Sequence, residues 1–284
     1  MRIRTVLKKL FNYLSDLYLI LKFTFNKAGK EYGISRFQKF KLVGKIRRNN
    51  KKVVSGSTWH QHLLMVEDIL KVPMSLNGDV VECGCYKGAC TVNLSLACAL
   101  TDRRLLVCDS FEGLPAPKDG EEYDIHGRSV NYYVWEKGEL SAQLDLVKKN
   151  VEKFGNIHAC HFYKGYFNET LKNIDTDSVV MVFEDADLKS SVEDCLQHLW
   201  PKLQEGCKFY CHEPWSIHVV SLFFDKAWWQ THLKTSPPGF YGSGHGIIAG
   251  LNYSNIGYAL KFDAQKIREQ GIKIIHHGSK GFEE

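Results

Sequence analysis

Apolar positions recur along this chain with two periods, and the change between them divides it in two. Residues 1–54 show helical spacing with basic residues at the margins, ending in the polar turn Ser55-Gly56-Ser57. Ser57 or Thr58 can then cap a helix whose apolar positions Leu63, Leu64, Val66, Ile69 and Leu70 share one face. Pro73 stops it, and Asn77-Gly78 turns the chain. From Asp79 onward, short apolar runs alternate with amphipathic stretches. The pattern predicts strands at 79–82, 105–108, 159–163, 179–183 and 207–211, with helices at 89–100, 139–154, 188–199 and 215–231. Two closing strand candidates, 245–251 and 256–262, follow without a helix between them, so the last is expected to pair antiparallel. Repeated βα units therefore predict one doubly wound α/β domain with a mostly parallel sheet over 55–284, preceded by a basic helical extension over 1–54. The polar stretch 115–138 is too long for a plain connection. It reads as a lid-like insertion, with Tyr132, Tyr133 and Trp135 as its apolar content.

Composition refines this picture in three places. With 44% hydrophobic and 24% charged residues the chain is an ordinary globular one, able to bury a full core. The formal charge of +5 is drawn largely from the extension, in Lys8-Lys9, Lys39, Lys41, Lys45, Arg47-Arg48 and Lys51-Lys52. Such an arm suits anionic membranes or nucleic acid, or is simply a solvated helix surface. Residues 10–25 are apolar after a basic start, but Asp16 and Lys22 interrupt them and no small-residue cleavage site follows. They read as an amphipathic helix packed on the domain or on a second subunit of a homo-oligomer. Peripheral membrane contact through residues 1–25 is the other option. The nine cysteines fall mostly within predicted elements, as small buried hydrophobes and not as a disulfide or zinc framework, which points to the cytoplasm.

In an open α/β sheet, ligands bind beyond the carboxyl ends of the strands. After the first strand comes Glu82-Cys83-Gly84-Cys85-Tyr86-Lys87-Gly88, leading into a helix, with glycines that permit a tight turn and close backbone approach. After the second comes Asp109, where a carboxylate suits ribose hydroxyls. Together they make a nucleoside site without choosing among nicotinamide, flavin and S-adenosylmethionine.

The run Val81-Glu82-Cys83-Gly84 with Gly88, then Asp109-Ser110-Phe111-Glu112-Gly113-Leu114-Pro115, resembles the macrocin O-methyltransferase (TylF-type) family of class I methyltransferases. Tyr163-Lys164-Gly165-Tyr166-Phe167, Glu184-Asp185-Ala186-Asp187 and His212-Glu213 continue the likeness, over roughly residues 55–215. The resemblance implies a Rossmann-like, seven-stranded sheet and S-adenosyl-L-methionine as cofactor. By it, Glu82 and Gly84 line the methionine end, Asp109 holds the ribose, and Gly165, Tyr166 and Phe167 border the adenine, with Cys83, Tyr86, Gly88, Ser110 and Asp185 also among the cofactor-binding residues. It also implies a divalent metal, magnesium or manganese, on an acid after the fourth strand and two acids after the fifth. Here those places hold Asp185 and His212-Glu213. An imidazole makes the set less typical of magnesium, and the other role for His212 is general base, alongside Asp185. Asp187, Ser190 and Ser191 are candidate helix caps. The reaction implied is O-methylation of a hydroxyl on a sugar, glycan or other small molecule. Two further readings stand: a cofactor-binding scaffold without turnover, and a nucleic-acid methyltransferase suggested only by the basic arm, which ranks last. His60 and His62 read as surface residues, with a place near the acceptor as the other option, and His245 as part of a glycine-rich turn.

Overall fold

The computed structural model describes residues 2–118, 120–121, 123–125, 132–244, 246–247 and 256–263. Three helices come first: α1 (Arg2–Phe25), α2 (Arg36–Lys52) and α3 (Trp59–Lys71). Then follow β1 (Asp79–Cys83), α4 (Ala89–Leu100) and β2 (Leu105–Asp109). A hairpin of β3 (Tyr123–Ile125) and β4 (Tyr132–Val134) precedes α5 (Leu144–Phe154) and β5 (Cys160–Lys164). The short α6 (Phe167–Thr170) leads to β6 (Val179–Glu184), α7 (Lys189–Leu199) and β7 (Leu203–Cys211). The chain continues through α8 (Ile217–Leu222) and α9 (Lys226–His232) to β8 (Gly257–Leu260).

Six strands form the main sheet in the order β5-β2-β1-β6-β7-β8. All neighbours are parallel except the pair β7–β8, which is antiparallel as expected. Six is one fewer than the seven that the family resemblance implies. His245 and residues 248–255, where the remaining strand candidate falls, lie largely outside the described residues. Every residue of β1 and β6 is buried. Strands covered on both faces read as continuous apolar runs, which is why these two stood out in the sequence.

Several boundaries differ from the sequence reading. The helix expected over 215–231 is two helices, because Phe223 ends α8 and Asp225 restarts the chain as the cap of α9, its side chain accepting from the Trp228 amide. The lid-like insertion over 115–138, for which no strands were expected, carries the β3–β4 hairpin. Backbone bonds close its neck, Leu114 N donating to Glu139 O and Gly138 N to Leu114 O, both at 2.9 Å.

The N-terminal helices pack on the sheet's helical layer. Leu42, Val43 and Ile46 of α2 are buried in the same core as Val92, Leu94 and Ala97 of α4. A polar chain runs through this layer. Asn49 Nδ2 donates to Asn93 Oδ1 at 3.0 Å, Asn93 Nδ2 donates to His62 Nδ1 at 2.8 Å, and His62 Nε2 meets Ser57 Oγ at 2.6 Å. His62 is therefore no surface residue. It is fully buried, and burial, followed by the nearby charge of His212, pushes its pKa down to about 3. The neutral ring can accept at Nδ1 and donate at Nε2, so each member of the chain has a partner. Asn93→Ala leaves the buried His62 Nδ1 without its partner and takes one of two acceptors from the Asn49 amide, which keeps Phe154 O at 3.2 Å. It should lower stability by about 1–3 kcal/mol, read as a shift of the denaturant midpoint at constant slope.

Candidate active site

The strand order reverses between β1 and β6, since the chain moves outward from β1 to β5 and then back across to β6. A crevice must open at the carboxyl ends of these two strands. Gly84 follows β1 with φ +85°, and a Cβ there would collide with the carbonyl oxygen of Asp185 after β6. The same join is tied by Asp185 N donating to Cys83 O at 2.8 Å. Gly88, at φ +81°, starts α4, and a Cβ would come within 2.9 Å of Val147. Both glycines are thus required by space as well as by backbone conformation.

Asp109 ends β2 and is held by two backbone amides. Cys85 N donates to one carboxylate oxygen and Phe111 N to the other, each at 2.7 Å. These bonds fix the orientation of the carboxylate while leaving each oxygen a lone pair. Ser110 Oγ donates to Gly113 O and accepts from the Glu112 amide, folding 110–113 into a tight turn.

The crevice is a cleft of about 520 Å³. Gly84, Tyr86, Asp109, Ser110, Tyr166, Phe167, Asp185 and His212 line it. Five residues singled out from the sequence are not in its wall. Glu82 and Cys83 are buried in β1, Glu213 is buried after β7, and Gly88 and Gly165 support the turns behind it. Other lining residues carried no sequence signal, among them Gly56, Lys118, Asn168 and Asp194. Backbone strain gathers here too. Tyr86, Leu140 and Asp187 line the cleft with φ values of +46°, +58° and +60°, a conformation that side chains disfavour and functional sites concentrate.

The insertion is tied to the far wall. Glu121 Oε1 accepts from the Ser190 amide at 2.7 Å and Oε2 from its hydroxyl at 2.8 Å. The first turn of α7 is capped from outside, where Asp187, Ser190 and Ser191 were the expected caps; the cap residue itself is Leu188. An acid beside a helix N-terminus is also favoured by the helix dipole.

Titratable groups crowd the base of the cleft. His212 Nδ1 lies 3.0 Å from Asp185 Oδ1 and 3.6 Å from Glu213 Oε1. Burial alone would neutralise His212, but Asp185 and Glu213 hold its pKa well above the usual value. Burial would likewise raise Asp185, yet the charge and hydrogen bond of His212 keep it low. The pair is therefore ionised. Burial pushes Glu213 well up, favouring its neutral acid, and Glu184 up to about 7, poised between its two forms near neutral pH. Glu213 Oε1, Glu184 Oε2 and His212 Nε2 are all buried without a hydrogen-bond partner. Donor atoms of Asp185, His212 and Glu213 lie within 4.8 Å of one another, so the three could share one ion. Partnerless buried oxygens beside them are the kind that a cation satisfies.

Residues 56–212 match the family model described as Macrocin-O-methyltransferase (TylF), more than half of the chain. The chain belongs to this family. One curated relative is the 8-demethyl-8-(2,3-dimethoxy-alpha-L-rhamnosyl)-tetracenomycin-C 4'-O-methyltransferase of Streptomyces olivaceus. It is 31% identical over 134 residues, 45% of this chain and 50% of the relative. Another is the demethyldecarbamoylnovobiocin O-methyltransferase of Streptomyces niveus, 29% identical over 150 residues, 50% of this chain and 53% of the relative. The chain thus spans about half the length of the curated relatives it matches. Among solved structures, the O-methyltransferase NovP superposes with a TM-score of 0.53 at 18% identity, covering 90% of this chain and all of NovP. The calicheamicin methyltransferase CalS11 gives 0.52 at 13% identity, covering 80% and 93%. At these identities the likeness establishes the shared α/β fold.

Glu82 yields a pH prediction for the free protein. Both its oxygens are buried without a hydrogen-bond partner, and burial, with Asp185 and Asp109 adding to it, raises its pKa from 4.5 to about 8. The folded state then binds more protons than the unfolded one between pH 4.5 and 8, so this group's contribution to stability falls as pH rises through that window. Glu82→Gln should remove a slope of up to about 1.4 kcal/mol per pH unit. Denaturant melts at pH 5 and pH 8 check this, wild type losing more stability between them than the variant.

Proposed function

We propose that this chain is an S-adenosylmethionine-dependent O-methyltransferase acting on a hydroxyl of a sugar or related small molecule. The observation that carries the reading is that a nucleoside cradle and an ionised acid–imidazole pair share one cleft. The cradle suits this cofactor. Gly84 admits no side chain, Asp109 keeps lone pairs for ribose hydroxyls, and the partnerless Glu82 lies beneath. Tyr166 and Phe167, lining the cleft beside Gly165, offer aromatic faces to an adenine. When bound, the cofactor supplies a methyl group already activated on a sulfonium.

What this chain must do is align an acceptor oxygen and remove its proton. Asp185 lines the cleft, is ionised, and accepts a hydrogen bond from His212. It would take the acceptor's proton as the methyl group passes from the cofactor's sulfur to the oxygen, the carbon–sulfur bond breaking as the carbon–oxygen bond forms. The oxygen becomes strongly acidic at that moment, so a carboxylate with a depressed pKa is base enough. His212 holds Asp185 in place and balances its charge. Leu114 and Leu140 add apolar side chains to the cleft wall. Asp185, His212 and Glu213 would hold a divalent ion, which supplies a lowered pKa at a hydroxyl that touches it. A sugar acceptor is favoured because the Streptomyces olivaceus relative is named for methylation within a rhamnosyl-bearing compound.

Purified protein with labelled S-adenosylmethionine and a panel of rhamnosyl and other glycosyl acceptors tests the reading. Asp185→Asn should cut the rate by about 100-fold or more while leaving S-adenosylhomocysteine affinity largely intact. Asp109→Ala should do the reverse, weakening cofactor binding about tenfold or more. An Asp185→Asn variant that methylates as fast as wild type would overturn the assignment. Dialysis against EDTA followed by manganese or magnesium decides the metal, since activity that survives chelation excludes it.

A further inference from the structure

The first helix turns Ile20 and Phe23 toward the core but leaves most of its large apolar residues outside. Its polar residues Asn12, Ser15 and Asp16 are half-buried against the domain, where Asp16 meets Arg47 at 3.1 Å and His60 at 2.8 Å. Its large apolar residues Leu10, Phe11, Leu14, Leu17, Tyr18 and Leu21 stand exposed, Phe11 at 59% and Tyr18 at 63%. On α2, Phe37 and Phe40 extend the same character. Cations sit among these rings, with Arg36 over Phe25 at 5.2 Å and Lys41 over Phe37 at 4.3 Å. A contiguous exposed apolar face of this kind marks an interaction surface.

Charge says what covers it. Residues 1–53 hold fifteen lysines and arginines against two acids, Asp16 and Glu31, and of these bases Lys39 is buried against Asn26 and Arg47 pairs with Asp16. The whole chain nets only +5, so the rest of it carries eight more acids than bases. We propose that the outer face of α1, with the aromatic rim of α2, docks on an anionic lipid surface. Aromatic and leucine side chains enter the acyl boundary while the surrounding lysines and arginines meet lipid phosphates. A symmetric pairing with a second copy would bring two strongly basic arms together. A nucleic acid would satisfy the cations but leave the leucines without an apolar partner. No helix among the described residues is long and apolar enough to cross a membrane, so the surface lies on the lipid and does not span it.

Cosedimentation of the full chain with vesicles tests this. With phosphatidylcholine vesicles containing about 30% phosphatidylglycerol, the protein should pellet. Binding should weaken about tenfold or more on pure phosphatidylcholine, and likewise when NaCl is raised from about 0.1 M to about 1 M. The double variant Leu14→Ser, Leu17→Ser should also lose about tenfold, with its thermal midpoint unchanged because both side chains are exposed. Equal binding to neutral and anionic vesicles, or none to either, overturns the proposal. So does a lipid-free dimer, seen by light scattering, that the double variant dissociates while vesicles leave wild type in the supernatant. Capture by an RNA or DNA duplex in place of vesicles overturns it as well.

Discussion

At the crevice between β1 and β6, the backbone of Gly84 passes so close to the carbonyl of Asp185 that no side chain fits between them. This contact governs the rest of the site. It sets the two strand ends at a separation that only bare backbone permits, and the Asp185 amide closes it by donating to Cys83. From there each functional group is placed in turn by a backbone amide. The Cys85 amide, one residue past Gly84, orients Asp109. The His212 amide donates to Glu184 O, bringing the imidazole alongside Asp185. A site built on strand ends in this way is held more tightly than one built on loops.

The electrostatics follow from the same geometry. Drawing strand ends together buries Glu82, Glu184 and Glu213, and burial raises the pKa of each. Asp185, paired with His212 and open to the cleft, stays ionised beside them. Acids in different environments thus hold their protons differently, Glu82 and Glu213 favouring the neutral form and Glu184 poised near 7. Desolvated groups without partners oppose folding, and the large core beneath the sheet offsets them. Such a site trades stability for reactivity.

Much of this was legible in the sequence, and the exceptions have physical causes. The buried parallel strands β1, β2 and β6 announced themselves as apolar runs. The turn 84–88 was readable because close backbone approach demands glycine, and Asp109 because an acid at the end of a parallel strand stands out against the apolar run before it. Glu121 was not, since its role as a cap on α7 depends on how a long insertion folds back across the cleft. His62 could have been placed inside, because it stands four residues before Val66 and seven before Ile69 on the apolar face of α3. The hairpin within 115–138 was missed because polar flanks hide its short strands. The exposure of the apolar face of α1 was also hidden. Periodicity shows that a helix has two faces but not which one the domain covers.

A crystal structure of the chain with S-adenosylhomocysteine is the most direct measurement of the central claim, that one cleft brings the cofactor and Asp185 together. The account predicts the ribose hydroxyls on Asp109, the adenine beside Tyr166 and Phe167, and the sulfur facing Asp185 and His212. A nucleoside bound elsewhere, or bound here with its sulfur turned away from Asp185, would contradict it.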